Sequence, residues 1–187
     1  LVTVVAVFAA IAHGPVIAIF GLVGGFLTPV LVSSSEPNAP ILFFYLYCIL
    51  AGFFSVIRKQ NWWILAIPTV GAVFLWAAVW LASGFAQQDA VWLGLFLVSV
   101  CATVIFYSSK SAENGDIDVD YEFSLSKTLI YLTLSGSALL IALMAKQTNF
   151  GLVEWGFFGI ISVGSIILSH LRQNTYGYGP LITAAVS

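Results

Sequence analysis

Residues 62–82 read WWILAIPTVGAVFLWAAVWLA, twenty-one residues without a charged side chain, opened by Trp62-Trp63 and closed around Trp80. A helix needs about 20 apolar residues to cross the roughly 30 Å hydrocarbon core of a bilayer. Charges wait just outside: Arg58-Lys59 on one side, Asp89 on the other. Moving outward, the same pattern repeats. Apolar runs with almost no charge occupy about 1–12, 15–32, 40–57, 91–109, 125–145 and 150–169, with Lys127 and Glu154 near the ends of the last two, and another begins near 178. The whole chain is 60% hydrophobic and 7% charged, against roughly 25% charged in soluble domains. The runs lack the two-residue alternation of barrel strands. The expected fold is all-α: a polytopic transmembrane helix bundle of about seven spans plus the start of an eighth.

The chain opens at Leu1 inside one apolar run and stops at Ser187 early in another. The expectation is a single transmembrane helical region, 1–187, belonging to a longer membrane protein. Its partners would be the lipid bilayer and the remaining helices of that longer chain. A net charge of −2 with no basic stripe gives no support to nucleic-acid binding. Cys48 and Cys101 fall mid-run, where desolvation keeps a thiol protonated and inert, so both read as packing residues.

The gaps carry helix-start chemistry. Asn38, Asn61, Asp89, Ser124 or Ser126, and Asn149 each stand at or just before a run, placed to accept from an orphan backbone N–H. Pro40 falls in a first turn, where a missing N–H does no harm. If the helices alternate in direction, one side receives Arg58, Lys59, Lys110, Lys127 and Arg172, and the other only Lys146. By the positive-inside rule the first side is cytoplasmic. Trp62, Trp63, Tyr107, Tyr176 and Tyr178 then line the inner interface, and Trp80, Trp92 and Trp155 the outer one, as an aromatic belt requires.

The densest group of special residues is Gly21-Leu22-Val23-Gly24-Gly25-Phe26-Leu27-Thr28-Pro29. Gly21 and Gly25, four apart, share a face and let another helix approach. Pro29 removes a backbone hydrogen bond, so the helix should kink or end there. A helix broken at membrane depth can offer carbonyls to a solute, as transporters do. The plainer reading is a tight crossing whose proline shapes the helix end. Gly21, Gly24, Gly25, Pro29 and Pro68 are therefore candidate packing or kink positions, with Thr28 a weaker functional candidate. Ser135, Gly136, Ser137, Ala138 and Ala142 form a small-residue stripe whose default explanation is packing.

No Asp, Glu, Lys, Arg or His lies deep in a run, although proton relays usually need one. Glu154, about one turn inside 150–169, comes nearest; it is a weak functional candidate or an interfacial anchor. Residues 116–123 alternate acids with Ile117, Val119, Tyr121 and Phe123, the pattern of a short strand. Asp116, Asp118 and Asp120 mimic the start of a calcium loop, but Tyr121 replaces its glycine and Lys127 its terminal carboxylate. His13 and His170 have no ligand spacing to each other or to the cysteines. No metal, cofactor or catalytic motif is expected. His13-Gly14-Pro15-Val16-Ile17 and Tyr178-Gly179-Pro180-Leu181-Ile182 could mark a parallel repeat.

The stretch from Gly21 to Leu31, a short polar loop, an aromatic-rich helix with Tyr45, and the passage from Arg58 to Trp62-Trp63 together resemble the bacterial predicted membrane proteins of domain-of-unknown-function family 2339. The resemblance is strongest over 13–65 and compositional beyond. It implies a long chain with many transmembrane helices in the bacterial inner membrane, and it carries no catalytic residues. Three functions are open. Transport of a small solute or lipid-linked molecule ranks first, and a cell-envelope scaffold or assembly factor second. A membrane enzyme on lipid-linked glycans comes third, with only Glu154, His13 and His170 to serve it.

The orientation is testable in a background lacking Cys48 and Cys101. In whole cells Gln88→Cys should react with an impermeant maleimide and Gln60→Cys should not. Equal labelling of both would remove the span between them.

Overall fold

Without water, a backbone N–H or C=O must find its partner inside its own segment, and the α-helix does this for every residue between its end turns. The computed structural model describes residues 15–31, 38–60, 62–83, 85–111, 119–148 and 151–171, and among these there is no strand. Helices α1 (Pro15–Leu31) and α2 (Ala39–Gln60) come first. A 3₁₀ turn, Trp63–Leu65, leads into α3 (Ala66–Ser83), and a second, Gln87–Asp89, into α4 (Ala90–Ser111). Helices α5 (Val119–Gln147) and α6 (Leu152–Leu171) complete the described chain. Among the described residues, four segments are long and apolar enough to cross a membrane: Ala39–Gln60, Trp63–Ser83, Gln87–Tyr107 and Thr128–Gln147. The apolar runs at 1–12 and from 178 onward lie outside the described residues.

One boundary differs from the sequence reading. Residues 119–123, whose alternation suggested a strand, are the opening turn and more of α5. Five alternating residues joined to a long apolar helix extend that helix, because each added residue fixes one more backbone bond without a new nucleus. Ser124 and Ser126 are therefore interior to α5 and not caps. A calcium loop over 116–127 is likewise replaced by helix from Val119 onward; Asp116 and Asp118 lie outside the described residues. Asn38 does cap α2: its Oδ1 accepts from the Ile41 N–H at 3.4 Å and its carbonyl from the Leu42 N–H at 3.1 Å. At the other end of α2, the Trp62 N–H satisfies the Ile57 carbonyl at 3.0 Å. Arg58 and Lys59 stand in that last turn, where cations complement the helix dipole. Asn61 and Asn149 lie outside the described residues.

Many hydroxyls inside the helices pair within their own helix, that of Ser135 with the carbonyl three residues earlier. Thr28, Ser55, Thr69, Ser83, Ser99, Thr103, Thr133 and Thr148 each donate to the carbonyl four residues earlier, at 2.7–3.1 Å. Apolar side chains also cover the outward faces. Phe20, Leu31, Ile41 and Phe44 are 72%, 80%, 68% and 70% exposed, with Leu75, Leu139 and Ile160 also open. In water each such side chain would forgo roughly 1.5–3 kcal/mol of burial; in lipid tails it forgoes nothing. Cys48, expected as packing, sits on this outward face, while Cys101 is buried with its Sγ 3.2 Å from Ser137 Oγ. Both thiols are free.

The chain divides into two compact units, 1–73 and 74–187, the division falling within α3. In the first, α1 packs on α2, and α2 on the Trp63–Leu65 turn. In the second, α4, α5 and α6 pack on one another. Two glycines of the second unit are fixed by contact: a Cβ on Gly94 would enter the Phe157 ring, and one on Gly136 would lie 2.6 Å from Phe74 Cε2. Ser137 and Ala138 beside Gly136 are buried, so the small-residue stripe of α5 is a packing surface. Gly94→Ala should lower stability in detergent by roughly 1–3 kcal/mol through overpacking. Gly71→Ala, with open space at its Cβ, should be neutral or stabilising by up to about 1 kcal/mol. Equal thermal midpoints for the two variants would refute the α4–α6 contact.

Candidate functional site

On α1, Ala18, Gly21, Leu22, Gly25 and Phe26 are buried. They recur at three- and four-residue steps, which marks one helix face. Gly21 and Gly25 lie on this face; Gly24 is exposed, and a Cβ there would meet nothing within 4 Å. Pro29 is inside α1, two residues before its last member, Leu31. Lacking an N–H, Pro29 cannot donate to the carbonyl of Gly25, four residues back. The Tyr45 hydroxyl of α2 donates to that same oxygen at 3.0 Å. One residue earlier, the Thr28 hydroxyl donates to Gly24 O at 2.8 Å, a back-bond that often bends helices. The helix runs on through Pro29 to Leu31, and the bond lost at the proline and the glycine face meet at one backbone oxygen, held by a neighbouring helix.

Tyr45 is the residue that sequence reasoning missed as a participant. The available signal was a phenol in an otherwise apolar helix, one short loop beyond a proline-containing run. Pro68 behaves differently from Pro29. It is the third residue of α3, exposed, directly after the 3₁₀ turn, in the turn whose N–H groups have no helical partner. Glu154 is the third residue of α6, and its side chain lies outside the described part, as does His13.

A second polar group lies at helix ends of the second unit. Asp89 is buried, and its Oδ2 accepts from the Trp80 indole at 3.3 Å and the Ala86 N–H at 3.2 Å. It reaches back across the Gln87–Asp89 turn, where the sequence suggested a cap for the helix that follows. Gln147 Nε2, at the end of α5, donates to Leu81 O in the last turn of α3 at 3.0 Å. These bonds close donors and carbonyls that helix ends leave open. Among the described residues no three His, Cys, Asp or Glu side chains gather.

A chain whose described residues fold as helices, four segments of them membrane-length and apolar, with lipid-compatible outer faces, is a membrane protein. It belongs to the predicted membrane protein family DUF2339, which matches it over residues 1–184. No curated protein and no solved structure matches the chain.

Asp89→Ala should cost about 1–2 kcal/mol by freeing the Ala86 N–H and the Trp80 indole. Trp80→Phe should cost less, and the double variant less than the sum. Strict additivity in detergent unfolding would separate the two residues.

Proposed function

We propose that this chain is the transmembrane part of a transport-related protein that moves a small solute or a lipid-linked molecule. Its setting would be the bacterial inner membrane, with about seven spans and the start of an eighth in a longer protein. The loops holding Arg58, Lys59, Lys110, Lys127 and Arg172 face the cytoplasm in this reading. One observation carries it: the Gly25 carbonyl, which loses its i+4 donor at Pro29, accepts from Tyr45 of the neighbouring helix. Backbone carbonyls freed by a proline are one means by which transporters meet a solute.

A scaffold or assembly role has its own support. Gly156 and Gly159 of α6 are exposed, with open space where a Cβ would stand. Such a face admits another helix closely.

Proteoliposomes bearing the full-length protein should move at least one member of a broad solute panel. Gly25→Leu and Pro29→Ala should each slow that flux about tenfold. Absence of any flux, together with recovery of one stable membrane partner by crosslinking, would replace transport by the scaffold reading.

A further inference from the structure

We propose that Tyr45 is a latch on a hinge in α1, residues 24–29, holding the Gly25 carbonyl to α2 and freeing that stretch to bend when its hydroxyl leaves the oxygen. Three local features weaken α1 over residues 24–29. Pro29 removes one ladder bond and its ring crowds the carbonyl of Gly25. The Thr28 hydroxyl competes for Gly24 O at 2.8 Å. Gly24 is exposed and has open space at its Cβ position, so no close contact at Gly24 explains a glycine there. What glycine adds at that position is backbone freedom. Against these stand the burial of Gly25 and Phe26 and a tertiary bond from Tyr45 Oη to Gly25 O at 3.0 Å. Leu31, past the hinge, is 80% exposed.

The consequence follows from the solvent. A carbonyl within hydrocarbon must have a donor. When Tyr45 releases Gly25 O, the oxygen must take another, from water or from an N–H or O–H of a solute. Opening of the hinge and admission of a hydrogen-bond donor are then one event. This gating role rests on the transport reading above, whereas the latch itself is measured without any solute.

The test is hydrogen–deuterium exchange of amides 26–31 in the full-length protein in nanodiscs, for wild type, Tyr45→Phe, Pro29→Ala and the double variant. Tyr45→Phe keeps the ring and removes the donor; exchange should rise about threefold to tenfold. Pro29→Ala supplies an N–H to Gly25 O within the helix, so Tyr45→Phe in that background should change exchange less than about twofold. Unchanged exchange in Tyr45→Phe, or an equal rise in both backgrounds, would overturn the latch. A latch confirmed by exchange, with no flux in proteoliposomes, would leave the hinge standing and remove the gate.

Discussion

Every backbone polar group of this protein that lies in lipid must be paired without water, and the architecture follows from that demand. It selects helices along the apolar runs and turns the side-chain hydroxyls of Thr28, Thr69, Thr103 and Thr133 back onto carbonyls of their own helices. Lipid as solvent also accounts for Phe44 and Leu75 on the exposed faces of α2 and α3. A hydroxyl that pairs locally adds no polar demand on its neighbours, so adjacent helices pack through apolar side chains and small residues. Gly94 under Phe157 and Gly136 under Phe74 are two such close contacts.

The same demand makes the exceptions informative. Helix interiors satisfy themselves, but helix ends and proline breaks cannot. Here they are completed by side chains from elsewhere: Gln147 for the Leu81 carbonyl, Asp89 for the Ala86 N–H, Tyr45 for the Gly25 carbonyl. The first two lie at helix ends, where such bonds are structural and expected. The third lies within α1, on a buried glycine face, and ties a weakened stretch of one helix to the body of another. A single hydrogen bond is worth only about 0.5–1.5 kcal/mol net. That is enough to favour one arrangement and too little to forbid the other.

The helices from 15 to 171 were legible because apolar length is a local property. Their register was less so. Val119–Phe123 looks extended when read alone and is helical because it continues α5, so the alternation lost to the cooperativity of a long neighbour. Pro68 and Pro29 look alike in sequence, each inside an apolar run. The difference is a 3₁₀ turn that postpones the start of α3 to Ala66 and leaves Pro68 in a first turn. Cys48 and Cys101 also look alike, and only the packing sends one outward and the other against Ser137.

Composition alone determined the solvent, the helical class and the cluster around Gly21–Pro29, since each depends on residues close together in the chain. Tertiary structure decided which groups complete one another. Tyr45 lies 20 positions from Gly25, and Gln147 lies 66 from Leu81. Hydrophobic pattern says that a carbonyl near Pro29 wants a donor; it does not say which helix brings one. That choice belongs to the packing of α1 on α2, where a face of Ala18, Gly21, Leu22, Gly25 and Phe26 brings the two backbones near enough for a phenol to reach.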